Sequence, residues 1–239
     1  MTPLLAKLVV RGCFRMNTLL IGANGQIGRI ITKKMQNDEA FNLLAGYRKD
    51  DQIEEANERG IQTIKIDLEE DIDHLAKAMV EVDTVIFAAG SGGSTGADMT
   101  MLIDLDGAVK AIEAAKQANV KRFVMISAIN ANRREVWSYA SKGSTTPSYY
   151  HAAKYYADVW LLESGLDYTI IRPSKLTNDE GTGKIDAKEQ LDTEKVSLEI
   201  PREDVANVVI ESLRNDTTIN KDFDVTSGFD KISDALSKL

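Results

Sequence analysis

Residues 17–35 read NTLLIGANGQIGRIITKKM, a short apolar run, then glycines at every third position, then a second apolar run. Gly22, Gly25 and Gly28 fall where a strand would end, the chain turn and a helix begin. A missing side chain permits a tight turn at the first, close backbone approach to a pyrophosphate near the second, and tight helix-to-strand packing at the third. The first amides of a helix have no acceptor within it and attract anions. Gly22, Asn24, Gly25, Gln26, Ile27 and Gly28 are therefore the candidate phosphate-binding set. Three glycines can also do no more than bend the chain, so the reading depends on what surrounds them.

From Met16 onward, strand and helix patterns alternate. The runs NTLLIG, FNLLAGY, IQTIKI, DTVIFAAG, RFVMIS and DYTIIR are short, bounded by turn residues and too unbroken for half-exposed antiparallel strands. They are predicted to be buried parallel strands. Helical patterns lie between them at residues 26–36, 51–58, 71–80, 98–118 and 149–162, with Asp71 and Asp98 as start signals. Such alternation builds an α/β fold: a doubly wound, mostly parallel Rossmann-type sheet with helices on both faces. The glycine turn then stands in the first strand–helix unit, where a dinucleotide binds.

After Arg172 the rhythm changes. PSKLTNDEGTGKID is rich in turn residues, and TEKVSLEI alternates like an exposed or edge strand. Pro201 opens the helical stretch PREDVANVVIESLR at its first turn, with Glu203 and Asp204 near the positive end of the helix dipole. KDFDVTSG and DKISDALSKL read as a last strand and helix. We expect one domain over residues 16–239, with a small C-terminal substrate lobe formed mainly from 173–200.

The end of the second strand bears on the choice of nucleotide. An acidic residue about twenty positions past the glycines would hydrogen-bond the ribose of NAD, whereas an arginine accommodates the extra phosphate of NADP. Arg48 stands at that distance, followed by Lys49. A guanidinium grips a phosphate at two points, so the expected cofactor is NADP rather than NAD. Asp50 and Asp51 follow at once, and the plainer alternative is a solvated loop of mixed charge.

Composition narrows the partners. The chain has 239 residues, 43% of them hydrophobic, and a formal net charge of -8. That is enough apolar content for one substantial core, while the acidic balance disfavours a nucleic-acid partner. Cys13 is the single cysteine, which excludes an internal disulfide framework and a cysteine-based metal cluster and fits a cytoplasmic location. His74 and His151 make no convincing metal site, so we expect a helix-surface and a pocket-rim residue. Residues 1–15 carry Lys7, Arg11 and Arg15 with no acidic residue, yet lack a cleavage site and are too short and charged to span a membrane. They read as a peripheral or disordered extension.

Taken together, GANGQIG, IDLEED, FAAGS, VKRFVMISA, YYHAAKYYADVWLLESGLDYTIIRPSKLT and IPREDVANVV resemble the atypical short-chain dehydrogenase/reductase family, particularly its NAD(P)-binding, NmrA-like branch. The resemblance runs from Met16 to the C-terminus and is more specific to fold and cofactor than to any reaction. It implies that Asp67 and Leu68 lie beside the adenine, and that Ala88, Ala89 and Gly90 let the cofactor pass close to the backbone. Pro173 would bring its loop near the nicotinamide. It further implies chemistry at Tyr150 and Lys154, which are four residues apart and share a helix face. The ammonium would favour the phenolate and hold the nicotinamide ribose, letting Tyr150 give a proton to a carbonyl oxygen or take it back. Ser127 would orient that carbonyl. Many relatives have paired serines here, whereas this chain has ISAI, with Ala128 at the second position. Tyr149 competes with Tyr150, but only Tyr150 has a lysine four positions on.

The polar segment between Ser127 and Tyr150 contains Trp137 and Tyr139, and a long loop there is where substrate specificity usually resides. Trp137 is the candidate cap for a substrate pocket. Two functional classes follow: an NADP-dependent oxidoreductase acting on a small carbonyl or quinone-like molecule, or a redox sensor that binds NAD(P) without turnover. Sugar-nucleotide epimerisation is a weaker third. The expected partner is a small-molecule substrate, with no nucleic acid or membrane, on a monomer or homodimer.

Overall fold

The computed structural model describes residues 15–92, 95–137, 148–192 and 198–239. Strand β1 (Met16–Ile21) leads through the glycine turn into helix α1 (Gln26–Met35). The alternation continues with β2 (Phe41–Tyr47), α2 (Asp50–Glu58), β3 (Thr63–Lys65), α3 (Ile72–Ala78) and β4 (Thr84–Phe87). Next come α4 (Ala97–Met99), a π-helical segment (Thr100–Gly107), α5 (Ala108–Gln117), β5 (Arg122–Ile126), α6 (Arg134–Trp137), α7 (Ser148–Leu162) and β6 (Asp167–Pro173). The chain ends with β7 (Lys175–Thr177), β8 (Lys184–Lys188), β9 (Glu199–Pro201), α8 (Arg202–Arg214), β10 (Lys221–Ser227), β11 (Asp230–Lys231) and α9 (Ile232–Leu236).

Nine strands form one sheet in the order β11-β8-β10-β6-β5-β4-β1-β2-β3. It is parallel from β3 across to β10, and β8 and β11 then run antiparallel. Because the chain leaves β1 outward to β2 and β3 and returns to β4 on the other side, the switch point lies between β1 and β4. The carboxyl ends of strands at such a point bound a crevice. Each sheet face carries its own core. One gathers Ile27, Ile31 and Met35 of α1 with Val205, Val209 and Leu213 of α8. The other gathers Leu75, Ile112, Ala115 and Leu161 from α3, α5 and α7.

Local chemistry explains several boundaries. Asp71 caps α3, its carboxylate accepting from the His74 amide at 2.8 Å, a contact worth about 1 kcal/mol. The expected continuous helix over 98–118 is instead three pieces: Gly96 rather than Asp98 is the N-cap, and the middle piece winds as a π-helix. Residues 61–66 give only the three-residue β3, part-exposed because it is a sheet edge. Pro201 is the N-cap of α8 and not its first helical residue. Of the 173–200 segment, β7 and β9 pair in a small parallel sheet while β8 joins the main one. Residues 1–14, with Cys13, as well as Tyr139 and residues 193–197 of TEKVSLEI, lie outside the described residues. Among the described residues, no helix is long and apolar enough to cross a membrane.

Candidate functional site

The glycine turn is held by contacts that a side chain would destroy. Gly22 has φ +89°, and a Cβ there would meet the backbone of Ala88 and Ala89 at 2.7–2.8 Å. It brings the ends of β1 and β4 into direct contact at the switch point. Gly25 is the N-cap of α1, and a Cβ there would lie 3.3 Å from the Gly22 oxygen, a tight contact but far less so than at Gly22 or Gly28. At Gly28 a Cβ would lie 2.1 Å from the Gly22 oxygen, which makes it the residue on which α1 closes against β1. Arg29 braces the turn by donating to the Asn24 backbone and side-chain oxygens.

Beside the turn lies a cleft of about 300 Å³. Gly22, Asn24, Gly25, Arg48, Asp67, Leu68, Ala88, Ala89 and Gly90 all line it, drawn from the ends of β1, β2, β3 and β4. Arg48 is half exposed and only loosely engaged, its Nη1 3.7 Å from Glu69 Oε1. Asp67 uses Oδ1 to accept from the Glu69 amide. Leu68 is packed on Gly107 of the π-helical segment, where a Cβ would sit 3.1 Å from its side chain. A dinucleotide fits this set: glycines without side chains along the ends of β1 and β4, and a guanidinium from the end of β2. Gln26, Ile27, Gly28 and Pro173 do not line the cleft, nor do Ser127, Tyr150 and Lys154. Gln26 opens a separate cleft with Ile30, Thr177, Asn178 and Arg202.

Tyr150 and Lys154 share one face of α7. The Lys154 ammonium lies 5.8 Å from the centre of the Tyr150 ring and 3.0 Å from Asp104 Oδ1. Lys154 and Asp104 are both buried. Burial pulls the Lys154 pKa down, but Tyr150, Asp104 and Asp158 outweigh it and leave it raised. Pro173 is buried at the end of β6, its carbonyl accepting from the Ile129 amide at 3.0 Å. Ser127 sits at the end of β5 as expected, but it is buried, and its hydroxyl makes no hydrogen bond of good geometry. It lies close enough to Asp158 to favour that carboxylate. Ala128 is also buried.

Beneath this group runs a chain of buried charges. Arg172 on β6 donates from Nε to Asp158 Oδ2 at 2.9 Å and pairs through Nη2 with Asp222 at 2.6 Å. Burial works against the Arg172 charge, yet the two carboxylates hold its pKa up. Asp158 is pushed upward by burial against the pull of Arg172. Asp224, opposite Arg172 on β10, is pushed up by burial to about 6, even though it accepts from the Leu191 amide.

Two expectations change. Trp137 is no pocket cap: it is buried against Tyr155, and its indole NH donates to the Ala131 carbonyl. Asp104 was not singled out by the sequence at all. The two acids of MLIDLDG, Asp104 and Asp106, were the available signal, and nothing local tells the buried one from the exposed one. Ser91, the last residue of FAAGS, also lines the cleft, as do Met99 and Ile103, which no motif marks. Among the described residues, no group of three or more His, Cys, Asp or Glu side chains could hold a metal ion.

Comparison with known proteins agrees with this geometry. A family model for NAD(P)H-binding proteins matches residues 22–216. The chain is 45% identical to the uncharacterized sugar epimerase YhfK of Bacillus subtilis, over 94% of this chain and 100% of that one. A solved structure from Bacillus halodurans, named as a candidate NAD-dependent epimerase/dehydratase, has TM-score 0.83 and 37% identity, covering 94% of this chain and 100% of its own. The oxidoreductase ylbE from Lactococcus lactis has TM-score 0.80 and 31% identity, covering 94% and 96%. With its glycine cradle at the switch point and a matching cleft beside it, the chain belongs to the NAD(P)H-binding family, an atypical short-chain dehydrogenase/reductase-like group of oxidoreductases and epimerase-like proteins.

Proposed function

We propose that the protein is an NADP-dependent oxidoreductase acting on a small carbonyl or quinone-like substrate. The observation that carries this reading is the Tyr150–Lys154 pair, one helical turn apart with the ammonium 5.8 Å from the phenol ring centre. When bound, the nicotinamide supplies or accepts the hydride. Gly22, Asn24, Gly25, Gln26, Ile27 and Gly28 would hold the pyrophosphate, Arg48 the 2′-phosphate, and Asp67 and Leu68 the adenine. Tyr150 gives its proton to the substrate oxygen, or takes it in the reverse direction. Lys154 steadies the resulting phenolate, and Ser127 orients the carbonyl.

The test uses purified protein. NADPH binding is followed by fluorescence, and NADPH oxidation is then screened against carbonyls, quinones and flavins. Given the name of the Bacillus subtilis relative, a nucleotide sugar is assayed for epimer formation by NMR with NAD(P)+ present, because epimerisation leaves no net change in the cofactor. Turnover that Tyr150→Phe abolishes is the expected result. The second reading, a sensor that binds the cofactor without turnover, draws on the burial of the Ser127 hydroxyl beside Asp158. Tight binding with no turnover across the screen decides for it.

A further inference from the structure

Asp104 is 2% exposed on the inward face of the π-helical segment, where Ile103 and Gly107 are also buried. A carboxylate so placed is tolerated only when its charge is met. Two groups meet it: Oδ1 pairs with Lys154 Nζ at 3.0 Å, and Oδ2 accepts from the Ser91 amide at 2.9 Å. One carboxylate thus ties the Lys154 helix to the backbone that leaves β4 and borders the cleft. Gly90 leaves space for it, since a Cβ there would lie 3.0 Å from Asp104 Oδ1. π-turns are uncommon and tend to occur where a function fixes a side chain at the cost of regular winding.

We propose that Asp104 is a positioning residue that holds the Lys154 ammonium beside Tyr150 and joins it to the cofactor loop at Ser91. The proposal rests on the roles given above to Tyr150 and Lys154. Other charges around Lys154 do not replace this contact. Tyr150 and Asp158 lie on its own helix, and Asp158 is already paired with Arg172 of β6. From α5, Glu113 is engaged by Lys116 and Trp160, and from α6, Arg134 donates to Tyr156. Asp104 supplies both a charge and a hydrogen bond that favour the ammonium against its burial, and Asp104→Asn removes the charge.

The test is a pH titration of the lysine side-chain nitrogens by NMR on the full chain without cofactor, in the wild type and in Asp104→Asn. The wild-type Lys154 midpoint is expected above that of exposed lysines, near about 10.4. In the variant it should fall clearly below its wild-type value, and the alkaline limb of any turnover should move down by the same amount. Loss of kcat with little change in KM, recovered at lower pH, is the accompanying kinetic result. A merely structural ion pair would move the Lys154 titration but leave this pH–rate profile in place. An unshifted Lys154 in the variant overturns the proposal. Should the variant not fold, a wild-type midpoint at or below that of exposed lysines overturns it alone. A shifted Lys154 in a protein without turnover leaves Asp104 as assigned and rejects the enzymatic reading instead.

Discussion

A Cβ on Gly28 would fall 2.1 Å from the carbonyl oxygen of Gly22. Backbone cannot yield at that distance without moving α1 off β1. Gly28→Ala should therefore lower stability by roughly 3 kcal/mol or more, read as a fall in the urea midpoint. Gly25→Ala has 3.3 Å to the same oxygen, so it should lose much less stability than Gly28→Ala while binding NADPH more weakly. Equal stability losses in the two variants contradict this division of labour.

Arg48 lines the cleft with only a 3.7 Å contact to Glu69, so little native structure depends on it. A charge-assisted hydrogen bond to phosphate is worth about 1.5–3 kcal/mol. Arg48→Ala should accordingly weaken NADPH by about tenfold to a hundredfold and leave NADH almost unchanged. Fluorescence titration of both nucleotides checks it, and equal losses remove Arg48 from the 2′-phosphate.

Asp224 makes stability depend on pH in a direction opposite to most acids. Its folded pKa is raised from 3.8 to about 6, so the folded state holds its proton more tightly than the unfolded chain. The linkage slope is then negative between those values. Below about 4 the group contributes nothing, and as pH climbs through 6 its contribution falls to a cost of roughly 3 kcal/mol. Asp224→Asn keeps an acceptor for the Leu191 amide and should raise stability at pH 7, with no gain at pH 4. Denaturant melts at the two pH values test the difference; a gain of equal size at both defeats it.

The Arg172–Asp158 pair is buried on both sides. Asp158→Leu alone leaves a guanidinium with one part-exposed partner, Asp222, and should cost about 3–5 kcal/mol. Adding Arg172→Met should recover much of that loss. A double-mutant cycle by thermal melts measures the coupling, and additive losses would mean the charges act independently.

How far the sequence could be read follows from where the contacts are local. The glycine turn and the YHAAK spacing are contiguous, and their geometry follows from strand and helix periods alone. The cleft also needed β2, β3 and β4 ends, which unbroken apolar runs located well. Asp104 was hidden because its partners, Ser91 and Lys154, are 13 and 50 residues away, and no local signal announces a π-turn. The antiparallel placement of β8 was equally silent, since KIDAK is polar and pairs with β10 only through long-range contacts. Trp137 misled by position: its indole found a carbonyl six residues back instead of a ligand.

The two ends of the main sheet are its shortest strands. β3 has three residues and β11 two, and they carry Lys65, Asp230 and Lys231 at the rim. Short, charged borders give another chain little backbone to template on and blunt strand-to-strand aggregation. The same nine-stranded arrangement that opens a crevice at its centre is therefore protected against growing sideways.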